Sequence, residues 1–552
     1  MPVINFEYHD LCSMLGEEVP RRTLLDRIPM IGADMHDTEG EVDDMTVEFF
    51  PDRPDLYSVE GLARGMRAFL DIEPGMTEYE VQDSDIDVYV DDSVRDIRPY
   101  FRCAVILGVD VDDTLLRSIM EMQEKLHITI GRKRSKLAIG IHDLDKVEPP
   151  FTFKAVDPHS IRFVPLAKDE EWDLEEILQK HEKGMAYAHL LEGKPKYPII
   201  LDKNGEVLSF PPIINGSLTT VTTDTHNLFI DVTGMDEKAV KGALDIICTA
   251  MAERGGQIVS VNMHDGGEEF VSPDLSPSSW QFSMKDCEKF LGVELGPEET
   301  VKSLNRMGLD ALVEGDTVHV EVPSTRLDIM HVVDLYEDVA TGYGFEKFGK
   351  SHAVTQTSGK LDPITSFSDK IRDLMVGMGF TEAVTLTLSN EKEEFTYAGL
   401  PEKEVVTVMN PITEDHTCLR SSLFPSLMRL LRRNKHRDLP QRLFEISDVI
   451  VDVKKERHLA AVVMHSKTSF TEVKSYTEAI LREIKADYTL RPSDYKTFIP
   501  GRGAEIVSDG KVIGYFGEVS PQVITDFEVN HPVIMFELII QQFAERMGGG
   551  LF

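Results

Sequence analysis

"PSTRLDIMHVVDLYEDVATGYGF", residues 323–345, is the stretch from which the fold is read outward. Ile329, Val332, Val333, Tyr336, Val339, Ala340 and Tyr343 recur at the spacing of one helix face, which predicts an amphipathic helix. Asp334, Glu337 and Asp338 stand at i, i+3 and i+4, where helical side chains converge. Asp328 lies just before the periodic run, where an N-cap belongs. Like charges at i, i+4 cost about 0.2–0.5 kcal/mol per pair, and no Lys or Arg within the helix offsets them. Two readings remain open: a solvated polar face, or a seat for a cation or a basic partner. Oxygen donors of this kind suit Mg²⁺ or Ca²⁺ better than Zn²⁺.

The chain has 552 residues, enough for about three or four domains. Its 96 acidic and 58 basic residues give a formal net charge of −38. Bulk charge therefore repels nucleic acid, and any RNA contact must use local basic patches. The five cysteines are scattered and form no C-x-x-C pair, which argues against a disulfide framework and a zinc site. The stretch "MPVINFEYHDLCSML" lacks the pattern of a signal peptide, and no apolar run approaches the length of a membrane span. The expected location is the cytoplasm, with no membrane partner.

The elements predict a multidomain α+β chain. Residues 1–85 read as a small α+β domain, with a helix from about Ser58. Residues 90–270 read as an α/β domain with a mainly sheet core, whose helix "DDTLLRSIMEMQEKLHITIG" starts near an Asp cap. Residues 272–348 hold a helix, "EETVKSLNRMGLDAL", a strand, "TVHVEVP", and the carboxylate helix, in a winged-helix-like order. Residues 355–552 hold a long helix ending at Gly379, a second helix in "LRSSLFPSLMRLLRRNKHR", and apolar strands suited to a central antiparallel sheet.

Candidate chemistry is sparse. There is no G-x-x-x-x-G-K-[ST] or G-x-G-x-x-G phosphate loop. Arg429, Arg432 and Arg433 share a helix face, and Arg132, Lys133 and Arg134 lie between a helix and a strand. Each cluster is either an RNA- or partner-contacting surface or ordinary solvated charge. "PPIINGSLTTVTTDTHNLFIDVTG" is rich in small polar groups, among them Asn215, Ser217, Asp231 and Thr233. Such groups orient a small polar ligand, although Thr also favours strands and Asn-Gly turns.

Eight stretches in order resemble the β subunit of phenylalanyl-tRNA synthetase in its shorter archaeal and eukaryotic form. They are "FFPDRPDLYSVEGLARG", "SFPPIINGSLTTVTTDTHNLFIDVTG", "VPSTRLDIMHVVDLYEDVATGYGF", "IRDLMVGMGFTEAVTLTLSN", "VMNPITEDHTCLRSSLFPSLMRLLRRN", "RLFEISDV", "FIPGRGAEI" and "GYFGEVSPQV". The resemblance implies an (αβ)₂ heterotetramer that joins phenylalanine to tRNA(Phe), with ATP as substrate and synthesis in the α subunit. It implies Mg²⁺ at Asp328, Asp334, Glu337 and Asp338. It makes residues 90–270 an editing domain that hydrolyses Tyr-tRNA(Phe), with Asn215, Ser217, Asp231 and Thr233 lining its pocket and Arg132 or His142 near the RNA end. It makes residues 355–552 a class II synthetase-like core that lacks catalysis. "RLFEIS", with Arg442 and Glu445, resembles the class II arginine motif, but no glycine-rich strand with an ATP-stacking arginine follows "PVIMFELII". The alternative is a scaffold subunit that binds α and tRNA without editing.

Overall fold

Every residue of the strand Leu228–Gly234 is buried. That is expected of a strand with partners on both edges and cover on both faces. In the computed structural model it pairs antiparallel with Tyr100–Leu107 on one side and Leu137–Asp143 on the other. Strands Gln257–Val259 and Val81–Gln82 complete a five-stranded sheet. The structure describes residues 2–36, 43–350, 352 and 357–547. The chain divides into two compact units, residues 1–351 and 352–552.

Alternation along Leu228–Gly234 sorts its side chains between two cores. Leu228, Ile230 and Val232 pack against the helices Asp113–Ile128 and Glu237–Glu253. Phe229 faces the other way, into a core shared with a seven-stranded sheet that includes Phe151–Val156, Tyr197–Leu201 and Val207–Phe210. Asp231 and Thr233, two and four residues on from Phe229, fall on this inter-sheet side. The expected helix after Asp112 is found, with the Asp112 carboxylate accepting from Leu115 N at 2.7 Å.

The helical core of this unit also takes in the N-terminal elements. It runs from Leu11 and Leu24 through Leu62 and Met66 to Leu304, Leu335 and Val339. The winged-helix-like segment is a three-stranded sheet, Ser278–Ser283, Thr317–Val322 and Asp310–Glu314, with helices Met284–Leu291, Gly296–Arg306 and Val332–Tyr343. Asp310, Ala311 and Leu312, expected in a helix, lie in a strand, because the chain turns at Gly308 with a positive φ of 73°.

The second unit is built on a seven-stranded sheet. Its strands are antiparallel except where Thr381–Glu382 joins Gln441–Val451. One face packs on the helices Pro363–Gly377 and Phe470–Glu483 through Phe367, Ile371, Val473 and Ile480. The other packs on Phe424–Arg433 through Phe424, Leu427, Met428 and Leu431.

Candidate functional site

The inter-sheet side of the first unit holds a polar crevice. Asp231 is 1% exposed and His142 is fully buried. His142 Nε2 lies 2.8 Å from Asp231 Oδ2, and His142 Nδ1 lies 2.7 Å from Thr219 Oγ1. An ionised carboxylate only accepts, so Nε2 carries the ring proton and the Thr219 hydroxyl donates to Nδ1. Gly140 stands opposite Asp231 on the neighbouring strand. A Cβ there would lie 1.9 Å from Asp231 Oδ2, so only glycine leaves room for this pair.

Asp231 and Asn215 line one cavity with Gly140, Ser209 and Arg134. Ser209 is a functional candidate the sequence analysis did not single out. Its one signal was a lone hydroxyl in the apolar strand "VLSF". Thr233 lies beside the cavity, bonded to the buried Arg98. Ser217 is elsewhere: it opens a short turn, Ser217–Thr219, and its N–H donates to Val164 O at 2.8 Å. His142, expected near the RNA end, is instead the buried partner of Asp231. The cavity leaves about 20 Å³ of open space, room for one water and not for an aromatic ring.

Only part of the first basic cluster faces solvent. Arg132 and Lys133 are exposed. Arg134 turns inward, donating to Pro212 O at 3.2 Å and Ile213 O at 2.8 Å and stacking over the Tyr187 ring at 4.7 Å. It therefore latches the Pro212–Ile213 roof of the crevice.

Around the carboxylate helix the expectations are corrected in detail. The helix is capped by His331, and Asp328 lies outside it. Asp334 Oδ2 accepts from Met330 N and His331 N, each at 2.7 Å. Asp338 is on the buried side, because Arg326 reaches in from the preceding loop. Arg326 is 3% exposed at its side chain and bonds Asp328 Oδ2 at 2.7 Å and Asp338 Oδ2 at 2.8 Å. Burial pushes the Asp338 carboxyl up to about 6, even with Arg326 beside it. Glu337 is exposed. All four carboxylates line one cavity of about 590 Å³. Two are already neutralised by an internal guanidinium, and among the described residues no three His, Cys, Asp or Glu groups are placed to hold a metal ion. The donor set as it stands does not fit Mg²⁺ on this chain alone.

In the second unit the three helix arginines separate. Arg429 is ion-paired with Glu393, Arg432 lies 3.9 Å from Glu528, and Arg433 is exposed. Glu445 of the arginine-motif stretch is bound to the buried Arg420 at 3.0 Å. Glu537 accepts from Ser422 Oγ, Leu423 N and Phe424 N at 2.6, 3.1 and 3.2 Å, at the start of the helix Phe424–Arg433. Burial alone would raise its pKa, but the bond from His458 and these donors hold it below the ordinary value. These polar groups of the sheet satisfy one another.

The comparisons with known proteins agree with this layout. Residues 114–252 match the B3/4 domain model, residues 280–345 the tRNA synthetase B5 domain, and residues 351–540 the phenylalanyl tRNA synthetase beta chain CLM domain. The chain is thus a multidomain α+β protein assembled from tRNA synthetase modules. It is 45% identical to the phenylalanine–tRNA ligase beta subunit of Methanothrix thermoacetophila, over 98% of this chain and 99% of the relative. It is 44% identical to that of Archaeoglobus fulgidus, over 99% of each. A solved N-terminal fragment of the phenylalanyl-tRNA synthetase beta subunit from Pyrococcus horikoshii covers 62% of this chain and all of the fragment, at 39% identity and a TM-score of 0.60. The chain belongs to the phenylalanyl-tRNA synthetase β-chain family. Among the described residues no helix is long and apolar enough to cross a membrane.

Proposed function

We propose that this chain is the β subunit of a cytoplasmic phenylalanine–tRNA ligase, paired with α in an (αβ)₂ heterotetramer. With α it supports ATP-dependent formation of Phe-tRNA(Phe), and it hydrolyses mischarged Tyr-tRNA(Phe) itself. The observation that carries this reading is the unbroken match, over 98–99% of the chain, to curated β subunits. Synthesis belongs to α: the polar groups of the second unit's sheet, Glu445 with Arg420 and Glu537 with Ser422 and His458, are committed to one another.

Proofreading answers a physical need. Tyrosine differs from phenylalanine by a hydroxyl, and an apolar pocket rejects an added hydroxyl only about 10²-fold. In the crevice, Asp231 accepts a hydrogen bond from the phenolic hydroxyl, held in place by His142. Asn215 and Ser209 line the same cavity. Water attacks the ester carbonyl carbon, the bond to the ribose oxygen breaks, and tyrosine and tRNA(Phe) leave. Exposed Arg132, Lys133 and Arg433 offer charge to the RNA backbone. Mg²⁺ at the carboxylate helix would need Arg326 to release Asp328 and Asp338, or donors from outside this chain.

One observation favours the scaffold alternative, in which β binds α and tRNA without editing: the crevice is too small for a tyrosyl ring unless its roof moves. Deacylation of Tyr-tRNA(Phe) by the α–β complex decides between them, with wild type compared to Asp231→Ala. Editing predicts that the variant loses at least tenfold in rate. Equal rates would remove Asp231 from the site, and no deacylation by wild type would leave the scaffold reading standing.

A further inference from the structure

A guanidinium taken out of water is costly unless it is paired. Arg98 is 3% exposed. It donates to neutral oxygens: Nε to Thr233 Oγ1 at 3.1 Å, Nη2 to Thr233 O at 2.7 Å and Nη1 to Arg134 O at 3.3 Å. Burial holds its pKa down to about 9, and Asp231 is the carboxylate whose field favours its charged form. Arg98 thus spends its charge on three neutral oxygens, two of them on Thr233.

The hydrogen-bond inventory supplies a reason. A threonine hydroxyl has one proton and two lone pairs, and an arginine only donates. With Arg98 on one lone pair of Thr233, the hydroxyl proton must go to another acceptor. Asp231 stands two residues back on the same strand face. Its Oδ2 is taken by His142, so Oδ1 is the acceptor left for a ligand. Asp231 lines the crevice, and Thr233, fully buried two residues along the same strand, lies outside that lining, so a ligand that displaces the roof meets one donor and one acceptor side by side. A phenolic hydroxyl, which both donates and accepts, matches that pair, and a phenyl ring matches neither.

We infer that Arg98 is a positioning residue that orients the Thr233 hydroxyl as a donor and thereby sets the crevice's preference for a hydroxylated aromatic side chain. The inference rests on the editing reading above. It does not require Arg98 to touch the substrate.

The test uses the α–β complex carrying Arg98→Met or Arg98→Lys, with Tyr-tRNA(Phe) and Phe-tRNA(Phe) deacylated separately. The expected result for Arg98→Met is a loss of tenfold or more on the tyrosyl ester with the phenylalanyl ester within twofold of wild type. Arg98→Lys recovers part of the tyrosyl rate. A parallel fall on both esters, with their ratio unchanged, assigns Arg98 to packing alone and overturns the inference while leaving editing intact. Inactivity of wild type on the tyrosyl ester overturns the editing reading and this inference with it. Should Arg98→Met fail to fold, Thr233→Val and the double variant Arg98→Lys/Thr233→Val carry the test. Arg98→Lys must then add no further loss of discrimination to Thr233→Val, and an additive loss overturns the inference.

Discussion

Arg326 holds two aspartates that belong to different parts of the chain's local order, one in a loop and one on the buried side of a helix. Removing one member of a buried ion-pair set leaves the others charged and unpaired, at a cost of about 3–5 kcal/mol. Arg326→Met is therefore expected to lower the first unit's unfolding free energy, measured by urea titration, by that order, and a change under about 1 kcal/mol would show that Asp328 and Asp338 are not held as described. Glu337→Gln, on the exposed side of the same helix, is expected to stay within about 0.5 kcal/mol of wild type. The quoted stretch already contained this arginine, two residues before Asp328. Helical periodicity alone did not find it, because a side chain entering from a loop obeys no period.

At the scale of elements, the helix Glu237–Glu253 carries an anomaly in its buried face. Asp245 is fully buried, neither of its carboxyl oxygens has a hydrogen-bond partner within 3.5 Å among the described residues, and burial pushes its pKa up to about 7 against the weaker opposing pull of Ser324 and Lys241. Its unfolded value is lower, so between about pH 4 and pH 7 the native state holds the extra proton. Stability contributed by this group is therefore full below the unfolded pKa and is lost as pH rises through the folded one. The difference is on the order of 4 kcal/mol. Asp245→Leu is expected to be more stable than wild type at pH 8, with the gap closing toward pH 4. A gap that is the same at both pH values would refute the shifted carboxyl. Elements of this length were legible in the sequence: the helices near 113–128 and 363–377 and the strands around 441–451 and 533–539 carry strong periodic or apolar signals. Two-residue strands such as Thr381–Glu382 carry too little pattern to be read. The crevice was half legible. Asn215, Asp231 and Thr233 lie in one polar stretch, but Gly140 and Ser209 come from other strands and Arg98 from the loop before Tyr100–Leu107, and only the folded chain brings them together.

For the molecule as a whole, a net charge of −38 is the dominant long-range fact. Self-repulsion on that scale opposes the compact state and is weakened as the screening length falls from about 10 Å at 0.1 M salt to about 3 Å at 1 M. The melting temperature is expected to rise between 0.1 and 1 M KCl. A fall would mean that the many surface ion pairs outweigh the bulk repulsion. The same charge makes tRNA binding depend on few cations, so Arg132→Ala with Lys133→Ala is expected to weaken tRNA(Phe) binding and flatten its salt dependence, measured by filter retention at several salt concentrations.

Gly140 has no side chain to place in the crevice, yet the crevice depends on it. A single added methyl group there collides with Asp231 and comes within 2.7 Å of His142 Nε2. Gly140→Ala would therefore unseat the carboxylate while the surrounding sheet keeps its pairing. On the editing proposed for the crevice, a genetic selection for cells that tolerate misincorporated tyrosine should return this substitution, the one with the least chemistry of its own.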